Sequence, residues 1–184
     1  NGSAIQQKQS FLIDRLGTKI GSSLLSVTDD PLSVSGRGSR LFDNEGIATK
    51  IRSVIEKGVL KTYFIDTYYG KKLGMEANSG STTNLVLELG SKDLDALLAD
   101  INKGILVTGF NGGNANPVTG DFSYGIEGFL VEQGKLTKAV AEMNITGNYN
   151  ELWKKLVAVG NDPDLSQSWR APSLVFDQVD FSGI

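Results

Sequence analysis

The chain has 184 residues, 40% of them hydrophobic. That suits one globular domain or two small ones, and lets roughly 70% of the unfolded surface be buried without a disulfide or metal staple. A net charge of -3 and a pI near 5.0 exclude a basic field for nucleic acid or anionic lipid. With no cysteine and no histidine, the chain has no thiolate nucleophile, no imidazole base and no His- or Cys-ligated metal site of its own.

Ser3 followed by Gln6 predicts a capped helix start, carrying Ile5, Phe11, Leu12 and Leu16 and stopping at Gly17. A short apolar stretch, Leu24 to Val27, ends at Asp29-Asp30-Pro31, and residues 33–46 read as an exposed loop rich in Ser, Gly and charge. From Ile47 the period becomes two. Runs ending at Glu56 and starting at Val59 flank a Gly-containing turn, which predicts a hairpin. Gly70 to Thr83 reads as a loop preceded by a turn of helix. Leu85, Leu87 and Leu89 alternate as a strand.

Ser91 is expected to cap a helix with Leu94, Leu97, Leu98 and Ile101 on one face, ended by Gly104. Ile105 to Val107 reads as a short strand, and Gly109 to Gly120 as a loop. A second hairpin joins 121–131 to 136–145 through Glu132-Gln133-Gly134-Lys135. Asn148 with Glu151 opens a last helix bearing Leu152, Leu156 and Val157. A polar loop over 161–172 and a final strand from Ser173 through Phe181 complete the chain. About eight strands and three helices, mostly joined by hairpins, predict an α+β fold of mostly antiparallel sheet, barrel-like if it curls on itself.

Local motifs offer little chemistry. Gly109-Phe110-Asn111-Gly112-Gly113-Asn114 is rich in glycine, but Pro117-Val118-Thr119-Gly120 follows where a phosphate loop needs Gly-Lys-Ser/Thr. It reads as a series of tight turns. The pairs Asp29/Asp30, Asp43/Glu45 and Asp162/Asp164 lack the spacing of a calcium loop and read as turn-makers and helix-end groups. Tyr63, Phe64, Tyr68 and Tyr69 are explained by packing. Arg37 and Arg40 sit in the exposed loop, available to a partner's carboxylates.

Longer-range order is more specific. Asn116-Pro117-Val118-Thr119-Gly120-Asp121-Phe122-Ser123 leads into Gly125, Gly128-Phe129 and Glu132-x-Gly134. Val159-Gly160-Asn161-Asp162 follows, while Ser10-Phe11-Leu12, Asp29-Asp30-Pro31, Phe42-Asp43-Asn44-Glu45-Gly46, Gly58-Val59-Leu60 and Lys72-Leu73-Gly74 lie upstream. This ordered set resembles the C-terminal half of the TldD/PmbA family, from about Gly2 to the end. The resemblance implies paired subunits of a cytoplasmic bacterial peptidase, also labelled a modulator of DNA gyrase. In it a TldD-type subunit carries a His-Glu-x-x-x-His helix and a later cysteine as zinc ligands, and a PmbA (TldE)-type subunit completes the dimer.

Residues 163–168, where the resemblance places that cysteine, read Pro-Asp-Leu-Ser-Gln-Ser, which favours the PmbA side. The histidine helix would fall ahead of Asn1. The chain, opening on Asn rather than Met, is expected to be a single C-terminal domain, 1–184, of a longer polypeptide. The resemblance thus implies a non-catalytic scaffold and dimerisation domain, pairing with a TldD-like subunit or with itself in a complex acting on unstructured peptides. Zinc is expected only in the TldD-type partner, and neither nucleic acid nor membrane is an expected contact.

Two alternatives differ in class: a metallopeptidase whose histidine motif lies upstream, and a peptide-binding module using an exposed strand edge. Asp43, Glu45, Asn116, Pro117, Thr119, Gly120 and Asp121 are the expected structural or interface residues, and no residue is expected to be catalytic or to hold a cofactor or metal.

Overall fold

A computed structural model describes residues 1–183. The architecture is α+β and mostly antiparallel. Among the described residues eleven strands form three sheets, with four short helices and one 3₁₀ turn (Trp153–Lys155) between them. Among the described residues the sheets stay open rather than closing into a barrel.

The first sheet has five strands: β1 (Val27–Asp29), β2 (Arg52–Glu56), β3 (Val59–Leu60), β4 (Leu85–Leu87) and β9 (Trp169–Arg170), in the order β3-β2-β1-β4-β9. Only the β4–β9 pair is parallel. The turn between β2 and β3 has Lys57 at φ 47° and Gly58 at φ 79°. Two successive positive φ values are the backbone of a type I′ hairpin, whose twist matches that of its strands. Glycine is also required at 58 by space, because a Cβ there would run into the carbonyl oxygens of Gly21 and Ser22. Val27, Val54 and Leu85 from this sheet pack with Leu25, just ahead of β1, and with Leu156 into one apolar cluster. Leu156 opens β8 (Leu156–Val159), which pairs with β10 (Leu174–Phe176) as the second sheet.

The third sheet is made of long strands: β5 (Lys103–Ala115), β6 (Asp121–Glu132), β7 (Lys135–Asn148) and the short β11 (Asp180–Ser182), ordered β11-β7-β6-β5. Phe122, Ile126, Val131 and Met143 are buried along it, and Ile126 is fully enclosed. Gln133 and Gly134 at φ 49° and 78° repeat the type I′ turn between β6 and β7.

The helices are α1 (Gly2–Gln6), α2 (Thr67–Leu73), α3 (Leu94–Ala99) and α4 (Tyr149–Leu152). All four begin at a side-chain cap, and each capping oxygen accepts a backbone N–H that the first turn leaves without a partner. The acceptors are Asn1 for Ala4, Asp66 for Tyr69, Asp93 for Ala96 and Asn148 for Asn150.

Several sequence expectations are corrected. The first helix is capped by Asn1, not Ser3, and ends at Gln6. Phe11, Leu12 and Leu16 lie in turns beyond it. The cap of α3 is Asp93 rather than Ser91. Leu156 and Val157 continue a helical spacing, yet they form β8, because the backbone at Leu156 swings to φ -66°, ψ 117° after the 3₁₀ turn. The segment 109–114 is not a loop: β5 runs through it to Ala115, with register shifts at Val107/Gly109 and Phe110/Gly113. Bulges absorb the extra residues, and glycines tolerate the positive φ at 112 and 113. The final strand is split into β10 and β11, and the 161–172 loop contains β9.

Candidate functional site

The turn that joins β5 to β6 is closed by its own side chains. The Asn116 Oδ1 accepts from the N–H of Val118 at 2.9 Å and of Thr119 at 3.4 Å. Thr119 Oγ1 donates to Asp121 Oδ2 at 2.6 Å. Asn148, at the end of β7, donates from its amide to the Thr119 carbonyl at 2.9 Å and to Asp121 Oδ1 at 2.8 Å. The Thr119 hydroxyl and then the Asn148 amide therefore hold the Asp121 carboxyl below its ordinary pKa.

Pro117 offers its carbonyl to the N–H of Phe11 at 2.8 Å, which ties the turn to the N-terminal segment. Gly120 sits at φ 84°, and a Cβ there would lie 3.2 Å from the Phe11 ring and 3.3 Å from Asn148 Oδ1. Phe11, Phe122, Tyr124 and Tyr149 gather behind it, with the Phe122 and Tyr149 rings 4.8 Å apart. Burial, joined by the hydrogen bond with Tyr124, pushes the Tyr149 hydroxyl up to about 12.

Asp43 and Glu45 do different work at a separate place. Asp43 is buried and its Oδ1 accepts from the N–H of Glu45 and of Ile47, each at 2.9 Å, closing the 43–47 turn. Burial opposes its ionisation, but these two backbone donors, the Ser79 side chain and the Arg40 charge outweigh it and keep the pKa low. Glu45 reaches the start of α2, where it accepts from the Thr67 N–H at 3.0 Å and from the Thr67 hydroxyl. A carboxylate there also suits the positive end of a helix. Among the described residues no hydrogen bond joins this loop directly to the 116–121 turn; α1, packed on α2 through Gly2 and Tyr69, continues into the segment that reaches Pro117.

A third polar node was not visible as a local motif. Asp29, 1% exposed at the end of β1, faces Arg52 on β2 at 2.9 Å and also accepts from the Thr83 N–H at 2.6 Å and the Thr83 hydroxyl at 2.7 Å. Arg52 spends its remaining donors on the 78–81 segment: Asn78 Oδ1 at 3.0 Å, the Ser79 carbonyl at 3.1 Å, the Ser81 carbonyl at 3.0 Å and the Asn78 carbonyl. Its guanidinium lies over the Phe64 ring at 4.4 Å. Asn84, fully buried, donates to the Asp30 carbonyl and the Ser39 hydroxyl and accepts from the Gly38 N–H. The network binds two otherwise irregular loops, 30–40 and 76–84, onto the first sheet.

The other carboxylates are spent locally. Asp30 accepts from the Leu32 N–H, and Asp164 from the Ser166 N–H, as turn-makers do. Asp162 accepts from the N–H and hydroxyl of Ser173; burial raises its pKa, but these bonds win and lower it. Zinc takes thiolate, imidazole or carboxylate donors. The sequence has neither of the first two, and among the described residues no three acidic groups converge where they could hold an ion. The residues present do not fit a zinc site. Among the described residues, no helix is long and apolar enough to cross a membrane.

Comparison with known proteins agrees with the motif order. Residues 1–183 match the family model for the PmbA/TldA metallopeptidase C-terminal domain. A metalloprotease PmbA homolog from Buchnera aphidicola is 36% identical over 187 residues, covering 100% of this chain and 42% of that protein. A crystal structure from Bacteroides thetaiotaomicron, named for modulation of DNA gyrase, is 62% identical with a TM-score of 0.97, covering 100% of this chain and 42% of that one. TldE from Thermococcus kodakarensis is 26% identical with a TM-score of 0.91, covering 100% of this chain and 45% of its own length. The chain thus spans under half the length of the proteins it matches.

Proposed function

Because this chain belongs to the PmbA/TldD metallopeptidase family, as a match to its C-terminal domain, we propose that it is a non-catalytic scaffold and pairing domain of a PmbA (TldE)-type subunit. Its partner is a TldD-type subunit that carries the zinc, and the pair cleaves unstructured peptides in the cytoplasm. The observation that carries this reading is the donor set: no histidine, no cysteine and no converging trio of acidic side chains among the described residues. Activating water on a transition metal needs such ligands and an open coordination position, so no catalytic step is assigned to these residues.

The geometry supports a structural role. Asn116, Pro117, Thr119, Gly120 and Asp121 fix the end of the third sheet against the N-terminal segment, and Asp43 and Glu45 fix the loop beside α2. Each is engaged with its own chain, which suits residues that shape a surface rather than react on it. The test is peptide cleavage by the protein alone, by a TldD-type subunit alone and by the mixture. Cleavage gained only in the mixture supports the proposal, and metal-dependent cleavage by the protein alone refutes it.

The metalloprotease names of the relatives, and the 42% share of them that is matched, favour one second reading. In it the chain is the C-terminal domain of a metallopeptidase whose His-Glu-x-x-x-His helix lies ahead of Asn1. Reading the residues encoded upstream separates the two.

A further inference from the structure

Asn111 stands at the outer edge of the third sheet, on β5, which has β6 on one side only. The ladder pairs Phe110 with Ile126 and Gly113 with Tyr124, so Asn111 and Gly112 together oppose the single residue Gly125. That is a bulge, where the regular pairing of the strands is interrupted. Both residues are exposed, Gly112 lies at φ 125°, and a Cβ built on it would meet open space. The Asn111 carboxamide lies across Gly125, and among the described residues it takes part in no hydrogen bond.

An asparagine followed by glycine carries its own nucleophile. Once hydroxide takes the proton of the Gly112 N–H, that backbone nitrogen can attack Asn111 Cγ. The new C–N bond closes a succinimide ring, the bond from Cγ to the side-chain nitrogen breaks, and that nitrogen takes a proton from water and leaves as ammonia. Water then opens the ring at either carbonyl, giving aspartate or isoaspartate. Ring closure requires the side chain to meet the following nitrogen, and a backbone with no Cβ beside that nitrogen turns to allow it.

Two other asparagines precede a small residue, and the fold closes both. Asn1 is followed by Gly2, but its Oδ1 accepts from the Ala4 N–H at 3.0 Å, and the nitrogen of the buried Gly2 donates to the Phe64 carbonyl at 2.9 Å. Asn78 is followed by the buried Ser79; its Oδ1 accepts from the Ile65 N–H and from Arg52, each at 3.0 Å, and its amide donates to Thr62 and to the Tyr63 carbonyl, each at 2.9 Å. Local opening must come first at either place.

We propose that Asn111 is a site of spontaneous covalent modification in the folded protein, where Gly112 drives loss of ammonia and leaves isoaspartate or aspartate in the β5 bulge. The inference is independent of the pairing role. Either product adds a negative charge to a chain already at -3. Alternate residues of a strand share a face, so that charge falls on the face of β6 that carries Glu127, whose side chain lies over Gly109. Isoaspartate also lengthens the main chain just ahead of Gly113, in the stretch that leads into the 116–121 turn.

The experiment ages the purified full-length protein in mildly alkaline buffer and follows each asparagine by peptide mapping, with electron-transfer fragmentation to tell isoaspartate from aspartate. In the folded protein Asn111 is expected to convert roughly tenfold faster or more than Asn1 and Asn78, and in urea Asn1 should approach the rate of Asn111. Asn111→Gln should remove the modified species, its fold verified by circular dichroism. The aged fraction, separated by anion exchange, should show faster amide exchange at residues 113–115 than Asn111→Gln does. Conversion of Asn111 in the folded protein no faster than that of Asn1 would overturn the proposal, as would conversion that begins only on unfolding. Unchanged exchange at 113–115 would overturn the effect on β5.

Discussion

Replacing Asp29 by asparagine removes one charge from a pair that is almost wholly enclosed: Asp29 is 1% exposed and the Arg52 side chain 15%. The asparagine oxygen can still accept from Thr83, whose N–H lies 2.6 Å from Oδ1. Its amide group, however, would point donor against donor at the Arg52 Nε, 2.9 Å away. Arg52 would keep its bonds to the 78–81 segment and its place over Phe64, so the guanidinium stays buried without its counter-charge. Breaking one side of such a pair costs about 3–5 kcal/mol, a large part of the roughly 5–15 kcal/mol that holds a domain folded. At about 2–4 °C per kcal/mol for a chain of this size, Tm should fall by roughly 6–20 °C. Urea unfolding followed by tryptophan fluorescence gives the free energy directly, and a cycle with Arg52→Met should return a coupling of about 1–3 kcal/mol. A loss below about 1 kcal/mol for Asp29→Asn would show that water reaches the pair, and would refute the claim that this node pins the 76–84 loop.

Further expectations follow from the turns. Asp43 has a folded pKa below the ordinary carboxylate value of 3.8, so its contribution is present above that value and lost as pH falls through the folded pKa. Melting between pH 2 and 5 should therefore steepen less for Asp43→Asn than for the wild type, and parallel curves would contradict this. At pH 7 the same substitution should cost about 1–2 kcal/mol, measured by urea unfolding, because bonds to a charged acceptor are weakened. Gly120→Ala, forced to φ 84° against Phe11 and Asn148, should lose about 1–2 kcal/mol, seen as a lower Tm. Glu45→Gln should loosen α2 locally, with faster amide exchange at Thr67 and little change in global stability.

What was legible in the sequence was mostly local. Lys57-Gly58 and Gln133-Gly134 announce their hairpins because a type I′ turn needs two residues at positive φ and glycine supplies one of them. The cap at Asn148 and the Asp30 and Asp164 turns are likewise written in side chains that bond within three residues. What was not legible depends on distant partners. Gly109 to Asn114 has loop composition, yet it forms strand because β6 lies alongside and bulges take up the excess. Leu156 and Val157 keep a helical spacing, but pairing with β10 and burial of Leu156 in the apolar cluster win. Ile51 fits the strand pattern and is nonetheless 58% exposed ahead of β2. The Asp29–Arg52 pair bridges 23 residues, and no spacing rule marks it. Asn116 to Asp121 stood out through resemblance, and the hydrogen bonds explain why those residue types occur together.

Zinc titration of the purified protein at neutral pH, after chelation and with the bound metal counted by mass spectrometry, addresses the central claim most directly. An account in which these residues supply scaffold and not ligands predicts far less than one retained zinc per chain and no peptide hydrolysis by the loaded sample. One tightly held zinc per chain, bound by this chain's side chains and accompanied by cleavage of an unstructured peptide, would contradict it.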